Sequence, residues 1–285
     1  MKTSLNPARL GADSLSFTEF VDLAARHGFD GVDIGIGSAM RAGNDLGGST
    51  TLNDYFKNKG VAPAVFNLDV EWRKDNETFE QGMATLAAKA AFAEQINCTR
   101  CVTWIPPSTN QSHSDWERGT ARRFGEIAHV LSDNGVRFGL EWVGPHHLRA
   151  GAANAMGTNP SLFTLDQTLA LIDRIGNPNV GLLVDSYHCY TTGIGEAELA
   201  ALSDSLIVHA HINDAPKGVG PTGARDGERI LPGLGEINLA GFLRGLQKAG
   251  YQGFVAAEIL AQQNLAPTPD EAANAVRASL RTLGL

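Results

Sequence analysis

Cysteine is scarce: the 285-residue chain has three, Cys98, Cys101 and Cys189. So small and odd a number excludes a disulfide framework. Cys98 and Cys101 form a C-x-x-C, but no second pair completes a zinc site, and the surrounding pattern is wrong for a thioredoxin motif. Cations are in deficit, 23 Lys and Arg against 31 Asp and Glu, for a net charge of −8. Such a surface repels phosphate backbones, so nucleic acid is not an expected partner. No apolar run approaches the ~20 residues of a membrane span. The first residues, MKTSLNPARLGADS, have no apolar core of a secretory signal. The expectation is a cytoplasmic protein with no membrane contact. There is no Walker-type loop, so nothing specific supports a phosphorylated substrate. Linkers, low-complexity stretches and a second domain are also missing.

What is present is an alternation of strand-like and helix-like segments over the whole chain. Strands are expected at Ser4–Leu5 (weakly), Val32–Ile34, Val61–Asn67, Arg100–Trp104, Val136–Glu141, Val180–Asp185, Leu206–His211 and Phe254–Glu258. Helical patterns lie between them: a capping box at Ser16 and Glu19, an Ala-rich stretch over Glu77–Gln95, another over Trp116–Asn134, and a box at Thr164 and Gln167. Later come an N-cap at Asn238 and the Thr268-Pro269-Asp270-Glu271 start of a last helix. Shorter helices are expected at Thr51–Asn58 and Glu196–Ser203. Eight strands, each followed by helical signal, predict a parallel sheet closed into one (β/α)₈ TIM barrel spanning residues 1–285.

In such barrels the reactive groups stand at the C-terminal strand ends. Strand five ends in Glu141, strand six in Asp185, strand seven in His211 and strand eight in Glu258. Neighbouring strands lie ~4.8 Å apart, so these four side chains form an arc around half the mouth. Period-two alternation places Gly139 with Glu141, Leu183 with Asp185 and Ala256 with Glu258 on the inner face. Three carboxylates and one imidazole form a hard, oxygen-rich set that predicts one divalent metal ion per chain, Mn²⁺ first, with Mg²⁺, Co²⁺ or Zn²⁺ as alternatives.

The second half of the chain carries more specific motifs. They are D-x-x-H at Asp185 and His188, H-x-N-D from His211 to Asp214, R-x-x-P-G-x-G from Arg229 to Gly235, and Gly250-Tyr251-x-Gly253 before strand eight. With Glu141 and Glu258, these resemble the xylose-isomerase-like TIM barrels, the sugar phosphate isomerase/epimerase superfamily. The resemblance covers nearly the whole chain. It implies that Glu141, Asp185, His211 and Glu258 bind the metal, and that Glu141 and Glu258 also exchange protons with a small ketose-like substrate through an enediolate. It implies that His188 and Arg229 hold substrate oxygens. One departure stands out. The ketose 3-epimerases carry a second acidic residue soon after the strand-five Glu, where this chain has Pro145-His146-His147-Leu148-Arg149.

Other residues carry weaker expectations. His147 and Trp104 are candidates for the substrate, and His209, two before His211, for a position behind the metal. The Gly- and Pro-rich segment from Asn213 to Glu236 reads as a lid over the metal mouth that brings in Arg229. A lyase on the same scaffold, acting on an inosose or a 3-keto glycoside, is the main alternative. Endonuclease IV chemistry is remote, because strands three and four end without histidine. A metal-stabilised non-catalytic subunit, and a homo-oligomer, remain open.

Overall fold

Eight strands close into a parallel barrel: β1 (Lys2–Leu5), β2 (Gly31–Ile34), β3 (Ala62–Asn67), β4 (Arg100–Ile105), β5 (Arg137–Trp142), β6 (Val180–Asp185), β7 (Ile207–Ile212) and β8 (Phe254–Ala257). Each pairs with its sequence neighbours, and β8 returns to β1 through Lys2 opposite Phe254. The computed structural model describes residues 1–285. The (β/α)₈ expectation is met. β1 is longer than expected, and β8 stops at Ala257, which leaves Glu258 as the first residue beyond it.

The helices form where the sequence caps them. Around Ser16 the box is complete: its hydroxyl accepts from Glu19 N–H and the Glu19 carboxylate accepts from Ser16 N–H. α1 (Phe17–Arg26) then buries Phe20, Val21, Leu23 and Ala24 on one face. One helix was not expected. α2 (Ile36–Asp45) occupies a glycine-rich stretch of poor helix propensity, just ahead of α3 (Ser49–Lys59). Tertiary packing overrides propensity there. Ile36, Ala39, Ala42 and Gly43 are buried, and a Cβ on Gly43 would stand 2.9 Å from the Phe92 ring. Phe92 belongs to α4 (Asn76–Gln95), and α5 (His113–Ser132) and α6 (Leu165–Ile175) follow.

A second unexpected helix bears on the site. α7 (Ser186–Thr192) starts at the end of β6 with Asp185 as its N-cap. The later helices are α8 (Glu196–Ala200), α9 (Gly220–Gly223), α10 (Leu239–Lys248) and α11 (Pro269–Thr282). No helix is long and apolar enough to cross a membrane. Between the helices and the sheet lies one large apolar core. Inside the barrel, Val65, Val102, Leu183 and Val208 form a separate plug. Gly139 fits this plug because a Cβ there would lie 3.0 Å from both Val102 and Val208. The plug closes the floor beneath Glu141, two residues further along β5.

Candidate metal centre

The strand ends bring the four expected ligands together. One donor atom from each of Glu141, Asp185, His211 and Glu258 lies within 4.8 Å of every other. His211 Nδ1 is 3.4 Å from Glu258 Oε2, 3.9 Å from Glu141 Oε1 and 4.0 Å from Asp185 Oδ2. The fit to a cation shows in what these atoms lack. Glu141 Oε1 and His211 Nδ1 are buried without a hydrogen-bond partner. Buried polar atoms are ordinarily paired, so an orphaned carboxylate oxygen facing an orphaned imidazole nitrogen suits a shared metal ion.

Each ligand is aimed by its surroundings. Asp185 divides its carboxylate between two tasks: Oδ1 accepts from the Tyr187 and His188 N–H groups that begin α7, and Oδ2 faces the site. Asn213 donates to Asp185 Oδ2 at 3.0 Å and to the Glu258 carbonyl at 3.3 Å, tying β6 to the end of β8. Behind His211 stands Asp33, from β2. Its Oδ1 accepts from Ser4 Oγ at 2.8 Å and its Oδ2 from Asn6 Nδ2 at 3.0 Å. Asp33 Oδ2 also lies 3.8 Å from His211 Nε2 and 3.5 Å from His209 Nε2. With Nδ1 of His211 facing the ligands and Nε2 facing a carboxylate, the ring is oriented as a metal-binding imidazole requires. His209 is buried beside it, as expected of a residue behind the centre.

Burial raises the Glu141 carboxyl well above its ordinary range, reinforced by the charges of Glu258 and Asp185. Burial also disfavours charge on Glu258 and on His211, but there the partners prevail. His211 and Arg229 pull Glu258 down to about 2, and Glu258, Asp33 and Glu141 hold the His211 imidazolium well above its usual value. Burial similarly works against the Asp33 charge, and His209 and His211 overcome it, keeping that carboxyl low.

Arg229 reaches the same point from the segment after β7. Its guanidinium, 2% exposed, donates through Nη1 to Asp185 Oδ2 and Glu258 Oε2, both at 2.9 Å, and through Nη2 to Asp226 at 2.7 Å. His188 adjoins it, with Nε2 3.2 Å from Arg229 Nη2 and 3.7 Å from Glu141 Oε1. Gly144 N–H donates to His188 Nδ1, and burial first of all lowers the pKa of the ring. Arg229 Nη2 can only donate, so Nε2 faces a donor just as Nδ1 does, and the neutral ring can accept from only one of the two.

The segment from Asn213 to Glu236 brings Arg229 to the site, as a strap tied down by hydrogen bonds. Asp214 accepts from the N–H groups of Ala215, Gly233, Gly235 and Ile237. Glu236 accepts from those of Gly218 and Gly220 and from Tyr190 Oη. The Tyr187 hydroxyl donates to the Arg225 carbonyl.

A cavity of about 260 Å³ opens over the centre, walled by Glu141, His211, Glu258, Asn67, Trp104 and Arg73 among others. Trp104, 40% exposed, stands at the cavity as expected. His147 does not line it. It sits in the turn His146–Leu148, with Nδ1 buried and unpartnered, and burial lowers the pKa of its ring while Asp226 of the strap in part opposes. Arg149 is a structural residue, donating to the Gly144 and Thr191 carbonyls and packing 4.3 Å over Phe163. Three residues at the site went unnoticed in the sequence: Asp33, the role of Asn213, and Arg73. Asp33 had a signal, an acid in the otherwise apolar GVDI strand.

A closed barrel whose last four strands each end in a metal-type ligand defines the class of protein to which this chain belongs. Residues 21–283 match the family model described as the xylose isomerase-like TIM barrel, and the chain belongs to that family. A xylose isomerase domain protein from Alicyclobacillus acidocaldarius superposes with a TM-score of 0.88 at 35% identity, over 99% of this chain and 98% of that one. An inosose isomerase from Halalkalibacterium halodurans is 24% identical over 78% of this chain and 74% of its own length. An inosose dehydratase from Yersinia enterocolitica is 25% identical over 95% of this chain and 91% of its own.

Proposed function

We propose that the protein is a divalent-metal-dependent isomerase or epimerase of a small carbohydrate ketone. The observation that carries this reading is the cluster of Glu141, Asp185, His211 and Glu258 at the base of one cavity, two of its donor atoms having no partner in the protein. These four residues would hold the ion, Mn²⁺ by donor type. A bound divalent cation polarises a carbonyl oxygen and acidifies the neighbouring C–H.

The rest of the chemistry belongs to the chain. Glu258 and Glu141 come from strands three apart in the ring, so they approach a bound ketone from different sides. Either carboxylate can take the carbon-bound proton and the other return it on the opposite face, which inverts or relocates the centre. Arg229, whose donors are taken by Asp185, Asp226 and Glu258, orients those carboxylates around the reacting carbon, and His188 beside it is the group left to meet a substrate oxygen. The strap excludes bulk water, which would otherwise reprotonate without stereocontrol.

The inosose dehydratase relative favours a second reading, elimination after the same first step. One experiment separates the two. Purified protein loaded with Mn²⁺ is incubated in D₂O with ketoses, inososes and 3-keto glycosides. Solvent deuterium should enter at carbon beside the carbonyl of one class. An ultraviolet-absorbing enone would assign dehydration. Absence of deuterium uptake from every class, in protein shown to hold metal, would overturn the proposal.

A further inference from the structure

Arg73 has no part in the chemistry above, yet it forms a wall of the same cavity. It lies in the segment after β3 and is held against β4 through Thr103 and Trp104, and in an eight-strand ring β4 lies diametrically opposite β8, the strand that leads into Glu258. A ligand held at the metal end therefore presents its far end to Arg73.

The guanidinium is fixed before any ligand arrives. It lies between two indoles, 4.2 Å from the Trp104 ring centre and 4.6 Å from that of Trp72. Nη2 donates to the Trp104 carbonyl and, at 3.3 Å, to Thr103 Oγ1, which also accepts from Trp72 Nε1. Trp72 is in turn locked against Phe124. A clamped guanidinium loses little freedom on binding, which is where recognition by a flexible cation loses most of its affinity.

Its donors are incompletely used. Nε is buried without a partner, and the one carboxylate near Nη1, Glu71, stands off at 3.5 Å. Arg229 contrasts with it, since its charge is spent on Asp185, Asp226 and Glu258. Burial disfavours the Arg73 charge, with Glu71 in part opposing. A half-buried, poorly paired cation is costly unless an anion completes it. On its outer side Arg73 also walls a second cavity of about 220 Å³ with Lys74, Arg122 and Arg123 and no acidic residue, in a chain of net charge −8. Arg123 there is consumed by the Trp72 and Lys74 carbonyls and Asn76, and Arg122 by Glu126, so that cavity supplies positive potential around Arg73.

We propose that Arg73 binds a carboxylate carried by the substrate at the end remote from the metal, so that the enzyme acts on an acidic sugar ketone in preference to a neutral one. A carboxylate suits a single planar guanidinium, whereas a phosphate dianion calls for several donors or a glycine-rich loop, which this wall lacks. The inference rests on the reading of the cavity as a carbonyl-sugar site.

The test uses Mn²⁺-loaded protein and three matched probes with the same carbonyl end: 2-ketohexoses, the corresponding hexuronic keto acids, and the ketohexose 6-phosphates. Dissociation constants come from calorimetry, with deuterium uptake in D₂O read in parallel. We expect the keto acids to bind about tenfold or more tighter than the ketohexoses. Arg73→Met should collapse that ratio to about one, and Arg73→Lys should keep part of it. Equal binding of acid and neutral probes, a ratio unchanged in Arg73→Met, or tighter binding of the 6-phosphates than of the keto acids would each overturn the assignment. Deuterium uptake without any charge preference would defeat Arg73 alone. Failure of all three probe classes to bind or exchange, together with no exchange from inososes or 3-keto glycosides, would defeat the carbonyl-sugar reading as well.

Discussion

At the level of single residues, the two glutamates of the centre can be told apart from the other ligands. Glu258→Gln keeps the shape and a weak donor oxygen but cannot take a proton. We expect at least a ~10²-fold loss in the rate of deuterium exchange with the fold intact by circular dichroism. Near-normal exchange would assign the base elsewhere. Asp33 acts one step back. Its Oδ2 faces Nε2 of His211, and outer partners of this kind are worth about 10–100-fold in metal affinity. Asp33→Asn should weaken Mn²⁺ binding within that range in a calorimetric titration. An unchanged constant would reduce Asp33 to a packing residue.

The same residues set a pH dependence. Without metal, Glu141 and His211 both hold their protons more tightly than an ordinary carboxyl and imidazole, Glu141 through burial and the charges of Glu258 and Asp185, His211 because its burial is outweighed by Glu258, Asp33 and Glu141. A metal ion needs the Glu141 carboxylate and a free His211 Nδ1 lone pair, so loading must release protons from both groups. Affinity for Mn²⁺ should therefore rise with pH across the neutral range. Calorimetry in buffers of different ionisation enthalpy would count the protons released, and a pH-independent affinity would contradict this electrostatic picture.

Among the elements, the strap after β7 is the clearest case of sequence and structure diverging. Its composition invites a mobile reading, because glycine frees the backbone wherever it stands. The structure ties it through Asp214, whose carboxylate gathers four N–H groups from residues up to 23 positions away. No local pattern announces such long-range pairing. Asp214→Ala would leave those donors without their acceptor, at a cost of about 3 kcal/mol by the scale of hydrogen bonds to charged groups. Hydrogen exchange over residues 213–236 should accelerate strongly, with the rest of the barrel changing little. Equal protection in the variant would show that other contacts hold the strap.

The strand ends were legible for a different reason. Side-chain alternation and the βα rhythm are local rules, and four ligands on consecutive strands survive an error of one residue at a boundary. This is why Glu258 reaches the site although β8 ends at Ala257. Helix α2 was hidden because its propensity is poor and it packs against distant residues, Gly43 lying close to the Phe92 ring some fifty residues on. Arg73 was hidden because its meaning depends on two tryptophans 32 positions apart meeting across the β3 and β4 loops.

For the molecule as a whole, the centre draws on β2, β5, β6, β7 and β8, and therefore braces the barrel across most of its circumference. Metal bound only by the folded chain stabilises it by about 2.7 kcal/mol at a concentration of 100 Kd. For a domain of this size that corresponds to a rise in Tm of roughly 4–5 °C. A thermal melt with and without excess Mn²⁺ measures it. An unchanged Tm at saturating metal would mean that the cluster does not bind the ion in the folded state.

The ring order also divides the work. Strands β5 to β8 carry every group proposed to ligate or to move a proton, while β3 and β4 lead into Arg73 and Trp104, which face the other end of the cavity. If both proposals hold, one half of the circle carries the chemistry and the other half contributes to the choice of molecule. The two halves are joined as one ring by the pairing of β4 with β5 and of β8 with β1, so neither end of the cavity depends on loops of the other. Loops after the early strands can therefore be exchanged, by evolution or by an engineer, to redirect the enzyme to another substrate while its chemistry stays in place.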